Sequence, residues 1–265
     1  MIIVGELING TRQAIAKAVA QRDAKTILNV AQKQVEAGAH LLDINAGTDP
    51  DREVEDLLWL LEVVLENLDV PLCIDSPNFQ AMEIGLKKAQ QRAAMINSIT
   101  GETQRLEAFL PLIKTCQSQI IILCMDDSGI PETPGGRLEI AANLVEKLTA
   151  HGVQASRLFF DPIIRPVSTD FQAGQIPRDT LRLIKKELPG VNTICGLSNI
   201  SFGLPQRQLL NRNYLTILLA EGLDAAILDP TDGALMANLA TTQALLGKDK
   251  HCLNYISAYR EGKLA

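Results

Sequence analysis

Short apolar runs alternate with amphipathic stretches along the whole chain. The apolar runs cover residues 2–6, 41–45, 72–76, 94–98, 120–125, 158–161, 193–197 and 225–229. Each is rich in Ile, Leu, Val or Cys, as strands buried on both faces are. Between them lie stretches with helical spacing, at 24–36, 54–67, 80–88, 106–116, 138–150, 180–187, 210–220 and 233–246. Such alternation builds right-handed βαβ units and a parallel sheet. Eight units in 265 residues predict an α/β fold of the (β/α)8 TIM-barrel type, as a single domain over residues 1–265. A doubly wound open sheet is the alternative, but it usually has fewer strands at this length.

The connections predict a polarity. Links from helix to strand are short, as at 68–71 and 221–224. Links from strand to helix are often longer and carry Pro and Gly, as at 126–137, 162–178 and 200–209. Long loops at the C-terminal ends of barrel strands are where active sites are built. The stretch 247–265 is expected to be a short extra helix or tail.

What ends each strand is the informative pattern. In order these ends are Glu6 with Asn9 beyond it, Asp43 and Asn45, Asp75-Ser76, Asn97-Ser98, Asp126-Asp127, Asp161, Ser198-Asn199 and Asp229. In a closed barrel they share one mouth. A single Asp or Ser after a strand is commonly a helix N-cap, and Asp229 is expected to be structural. A whole ring of acids and amides is harder to explain as capping, because crowded like charges repel. A ring of acids could hold Mg²⁺, although the neutral amides argue partly against it. Mixed Asp and Asn suit a flat heterocycle such as a pterin. A carboxylate accepts its guanidine-like edge through two hydrogen bonds, and an amide serves a donor and an acceptor at once.

Composition narrows the classes. A net charge of −6 argues against a nucleic-acid partner. The first residues carry no basic leader, and no apolar run approaches the ~20 residues of a membrane helix, so a cytoplasmic protein is expected. Aromatic content of 4% means a mainly aliphatic core. Cys73, Cys116, Cys124, Cys195 and Cys252 form no C-x-x-C pair and read as reduced thiols. His40, His151 and His251 lack ligand spacing, so no protein-bound metal is expected. The ring lacks lysine and histidine, which disfavours Schiff-base and histidine acid–base chemistry. Residues 196–200 resemble a nucleophile elbow but lack its second glycine. No G-x-G-x-x-G or Walker motif is present.

Gly5-Glu6-Leu7-Ile8-Asn9, Asp43-Ile44-Asn45, Cys73-Ile74-Asp75-Ser76, Met95-Ile96-Asn97-Ser98, Phe160-Asp161-Pro162 and Gly196-Leu197-Ser198-Asn199 occur in that order. Together they resemble the pterin-binding methyltransferases, most closely the methyltetrahydrofolate:corrinoid protein methyltransferases. The folate domain of cobalamin-dependent methionine synthase is a more distant relative. The resemblance covers nearly the whole chain and implies a TIM barrel, usually a homodimer. It implies tetrahydrofolate or 5-methyltetrahydrofolate as substrate and a corrinoid (cobalamin) supplied by a partner protein. The methyl group would pass between folate N5 and cobalt. It would run from methylcorrinoid to tetrahydrofolate in demethylation, including O-demethylation, and toward the corrinoid in acetogenesis.

The resemblance assigns Asp75, Asn97 and Asp161 to the pterin ring. It assigns Asn199 as the catalytic residue near N5, with Gly196 and Ser198 close by and Arg207 positioning Asn199. For Glu6, Asn9, Asp43 and Asn45, ligand contact and structural support stay open. Phe202 stands where a polar residue is expected. Asn199 cannot titrate, so its expected role is hydrogen bonding to N5 rather than acid catalysis. The D-x-H-x-x-G element that holds a corrinoid in many proteins is absent. A dihydropteroate synthase-like enzyme is disfavoured, because residues 195–199 and 226–229 lack that family's lysine and Arg-x-His. An acid-rich, metal-dependent barrel lyase and a non-catalytic folate binder are the other readings.

Overall fold

The computed structural model describes residues 1–47 and 49–264; Thr48 and Ala265, inside the expected domain span, lie outside the described residues. Among these residues eight parallel strands close in sequence order, with the last pairing back on the first. They are β1 (Ile2–Asn9), β2 (Leu41–Asn45), β3 (Leu72–Asp75), β4 (Ala93–Ile99), β5 (Gln119–Leu123), β6 (Leu158–Asp161), β7 (Asn192–Gly196) and β8 (Ala225–Leu228). The helices are α1 (Gln13–Ala20), α2 (Ala24–Glu36), α3 (Glu53–Asn67), α4 (Phe79–Ala89), α5 (Thr103–Thr115), α6 (Pro134–Ala150), α7 (Gln175–Glu187), α8 (Arg207–Ala220), α9 (Gly233–Leu245) and α10 (Leu253–Arg260). The (β/α)8 barrel expected from the alternation is the observed fold. Among the described residues no helix is long and apolar enough to cross a membrane.

Strand side chains alternate between the barrel interior and the helix layer. Val4, Leu41, Cys73, Met95, Ile121, Phe159, Ile194 and Ala225 form one buried interior cluster. Their sequence neighbours Leu42, Ile74, Ile96, Ile120, Ile122, Leu158 and Phe160 pack outward on α2 to α6. Ile3, Cys195, Ala226 and Leu228 do the same against α8 and α9. Two residues beyond the interior cluster, on the same inward parity, come Glu6, Asp43, Asp75, Asn97 and Asp161. The polar mouth is therefore the upper layer of a barrel whose lower layer is apolar.

Two irregularities shape that layer. Between β1 and β2 two residues of β1, Glu6 and Leu7, oppose one of β2, Asp43, between the Gly5–Leu42 and Ile8–Ile44 pairs. Such a bulge re-aims the side chains beyond it, and Ile8 turns outward into the helix layer. The Leu7 N–H donates to Oε1 of buried Gln34 on α2 at 2.9 Å. A second slip, between Ile96–Ile120 and Ile99–Ile122, brings both Asn97 and Ser98 to the mouth.

Several boundaries differ from the sequence reading. α1 was not expected, and β1 continues to Asn9 rather than stopping at Glu6. The loop expected over 126–137 stops at Thr133: its hydroxyl caps α6 by accepting from Gly136 N–H, and Pro134 opens the helix. β7 ends at Gly196, and residues Leu197–Ser201 form a 3-10 turn, so Ser198 and Asn199 are not strand residues. The tail contains α10, which packs on α9 and carries no buried residue.

Candidate active site

Side-chain caps come from Asp23, Asn78, Thr133 and Asp232. The inward acids Glu6, Asp43, Asp75 and Asp161 cap no helix, and all four line one open cavity of about 690 Å³ at the C-terminal ends of the strands. Asn9, Asn97, Gly196, Ser198, Asn199 and Arg207 line it as well. Asn45 does not; its Nδ2 donates to Asp75 Oδ2 at 2.7 Å. Of the two roles left open for Asn45, ligand contact and structural support, this geometry is that of support for Asp75. Asp229, expected to be structural, lines the cavity while accepting from the backbone N–H and hydroxyl of Thr231.

The acids are held in two groups. Asn97 Nδ2 donates to Asp43 Oδ1 at 3.1 Å. Burial, followed by the nearby Asp75 charge, pushes the Asp43 carboxyl well above the ordinary range. Asp75 is raised to about 6, chiefly by burial, against the hydrogen bonds from Asn45 and Asp43. The two carboxyls are best described as a pair sharing a proton, held on Asp43. Asp161 stands apart. It accepts from Ile163 N–H at 2.7 Å and from the Gly196 N–H, and burial raises it to about 6.

The far side of the mouth is a relay of polar contacts. Arg12 donates to Glu6 Oε1 at 2.6 Å, and the Ser198 hydroxyl donates to the same oxygen at 2.9 Å. Burial raises the Glu6 carboxyl, with Arg12 pulling the other way. Asn211 Nδ2 lies 3.4 Å from Ser198 Oγ. Arg207 grips the 3-10 turn, donating through Nη2 to Ser198 O at 2.7 Å and through Nε to Ser201 Oγ at 3.1 Å. Asn199 is exposed in that turn, and its side chain makes no hydrogen bond among the described residues. Its amide folds back over Gly196: a β-carbon there would stand 3.1 Å from Asn199 Nδ2. Glycine thus permits the amide to lie close over the end of β7.

The geometry is an acid-and-amide cradle with one free amide at its rim. The pterin-binding enzyme family matches residues 5–229. The chain belongs to this family. Within it, the chain is 35% identical over 266 residues to the methylcorrinoid:tetrahydrofolate methyltransferase of Eubacterium limosum, covering 100% of this chain and 98% of that one. It is 29% identical over 240 residues to the methionine synthase of Mycobacterium tuberculosis, 86% of this chain but 20% of that longer protein. Among solved structures, Yersinia pestis dihydropteroate synthase superposes with a TM-score of 0.68 at 18% identity, covering 93% of each chain. The Xanthomonas albilineans dihydropteroate synthase in complex with 7,8-dihydropteroate gives 0.64 at 19%, covering 92% of this chain and 93% of that one. At these identities the likeness is one of fold.

The pterin-binding barrel also gathers residues that sequence reasoning did not assign. Arg12, Gln208, Asn211, Asp232 and the apolar Leu123, Ile227 and Leu235 line the cavity. Leu123 and Ile227 lie two residues beyond Ile121 and Ala225, so strand parity carried their signal. Arg12 had none, because it stands at the N-cap of the unexpected α1; Asn211 arrives from the fifth position of α8.

Proposed function

We propose that this protein transfers a methyl group from a methylcorrinoid to N5 of tetrahydrofolate. The direction rests on the name of the Eubacterium limosum relative, which the chain matches end to end. Asp75, Asn97 and Asp161 would read the donor and acceptor edges of the pterin ring, with Asp43 and Asn45 holding that set. Leu123 and Ile227 supply apolar surface in the same cavity. Glu6 and Ser198 form the adjoining wall, and Arg207 holds the turn that presents Asn199.

The observation that carries this reading is Asn199 itself: an exposed, unengaged amide above the floor where the acids meet. In the reaction the N5 lone pair takes the methyl group. The electrons of the cobalt–carbon bond stay on the corrinoid as Co(I), and N5 releases its proton to solvent. Asn199 would stabilise the changing charge at N5. One such oriented donor contributes on the order of 100- to 1,000-fold in rate.

The corrinoid would arrive on a separate protein docking over the mouth. The cavity is open there, and Phe202, 64% exposed and part of its lining, offers an apolar contact. A homodimer belongs to the same reading, supported by exposed Leu209 and Ile217 of α8, Leu245 of α9 and Leu253 and Tyr259 of α10. A cytoplasmic location accords with its free cysteines.

The test uses free methylcob(III)alamin and tetrahydrofolate, followed by the appearance of the cob(I)alamin absorbance. Turnover is expected, and Asn199→Ala should lower the rate at saturating folate by about 100-fold or more. Absence of turnover in both directions, together with no binding of tetrahydrofolate, would refute the reading. An unchanged rate in Asn199→Ala would remove that residue's role alone.

A further inference from the structure

Arg137 of α6 does not line the cavity, yet it is 1% exposed and among the largest fully buried side chains. Its hydrogen bonds go to main-chain carbonyls. Nε donates to Pro131 O at 2.9 Å, and Nη1 donates to Ile163 O at 2.9 Å and to Pro162 O. A guanidinium buried on carbonyls alone carries a desolvation cost, so its retention calls for a reason.

The carbonyls it grips explain where it acts. Ile163 has φ +60°, a conformation that β-branched residues rarely adopt. That turn aims the Ile163 N–H back at Asp161 Oδ1, 2.7 Å away. Arg137 Nη1 bonds the carbonyls of both Pro162 and Ile163, the residues that make the turn. Through Pro131 it ties the β5–α6 loop to the β6–α7 loop. The latter loop is tied in turn to the segment bearing Asn199: Val167 N–H donates to Ile200 O at 3.0 Å, and Ser168 Oγ donates to Phe202 O at 2.8 Å.

We propose that Arg137 is a positioning residue of the pterin site, aiming the Asp161 carboxylate and locking the β6–α7 loop against the turn that carries Asn199. The proposal rests on the pterin reading of the cavity only for its consequence on folate. Its structural content concerns Asp161.

Charge adds to the geometry. The titratable groups close enough to Asp161 to interact with it electrostatically are Arg137 from α6, Cys124 beyond β5, Cys195 on β7 and Tyr214 on α8. Burial pushes both thiols and the phenol up, so they are neutral near neutral pH. Arg137 is the cation, and it opposes the effect of burial on Asp161.

The experiment compares Arg137→Met and Arg137→Lys with Arg165→Gln. Arg165 joins the same two loops at the surface, through Glu132, without touching the Asp161 turn. The first readout is the titration midpoint of the Asp161 carboxyl in the folate-free protein, by carbon NMR assigned with Asp161→Asn. The midpoint should rise by about one pH unit in Arg137→Met, less in Arg137→Lys, and not in Arg165→Gln. The second readout is turnover with methylcobalamin: KM for tetrahydrofolate should rise about tenfold in Arg137→Met, with a smaller fall in kcat from the loosened Asn199 turn, and both should recover in part in Arg137→Lys. If Arg137→Met does not fold, Arg137→Lys decides. Folded variants with an unmoved Asp161 midpoint overturn the proposal, as does an equal shift in Arg165→Gln. A moved midpoint in a protein that neither binds nor methylates tetrahydrofolate supports the positioning role and refutes the pterin reading.

Discussion

Asp161 is 8% exposed and has its pKa raised from 3.8 to about 6, mainly by burial. Asp75 is raised to a similar value. A pterin edge that donates hydrogen bonds needs ionised acceptors. Folate affinity should therefore fall as pH drops below about 6, by roughly tenfold per pH unit for each carboxylate that must ionise. Calorimetric titration of tetrahydrofolate between pH 5 and pH 8 (about one unit either side of these midpoints) checks this. The same shifts have the opposite consequence for the empty protein. Below about pH 4 Asp161 is protonated both folded and unfolded. As pH rises from about 4 to about 6 the unfolded chain ionises this acid while the folded chain still holds it protonated, so stability is lost, and the loss is complete once the buried acid ionises above about 6. Asp161→Asn should then be more stable than the parent by up to about 3 kcal/mol at pH 8 and by about half that at pH 5, while binding folate more weakly. Melting curves at the two pH values decide it.

At the scale of elements, the β1 bulge determines how Glu6 reaches the mouth. The Leu7 N–H on the bulge is satisfied by Gln34 of α2, and Gly5 leaves room for that amide. A β-carbon on Gly5 would stand 2.5 Å from Gln34 Oε1. Gly5→Ala is expected to cost about 1–3 kcal/mol by overpacking, read as a lowered denaturation midpoint at unchanged slope. This bulge was not legible in residues 2–6, which read as an ordinary buried strand. Slippage of register depends on the partner strand and on the side chain beneath it, and neither is local in sequence. The 3-10 turn at Leu197–Ser201 escaped for a related reason: Arg207, which holds it, lies in the next helix.

For the whole molecule, the barrel places its polar layer at one end and an apolar outer surface along α8, α9 and α10. Leu245 is 83% and Tyr259 73% exposed, and α10 buries none of its side chains in its own chain. A second copy packed on this face is the proposed cover. Light scattering after size exclusion should show a dimer for the parent and a monomer for the Leu245→Lys, Tyr259→Lys double variant, with turnover on free methylcobalamin retained. A parent that runs as a monomer at micromolar concentration would refute the dimer.

Sequence alone determined the barrel, because eight buried strands separated by amphipathic helices have few other ways to cover both faces of a parallel sheet. It also determined the polar mouth. Asp43, Asp75, Asn97 and Asp161 each follow an interior apolar residue by two positions, and that period is local. Tertiary structure decided the rest. Asn45 turned to support Asp75, Arg12 came to hold Glu6, Arg137 was buried beneath the Asp161 turn, and the Asn199 amide was left free above Gly196. Each of these depends on side chains meeting from separate elements, and on burial that raises carboxyl pKa values only once the barrel has closed.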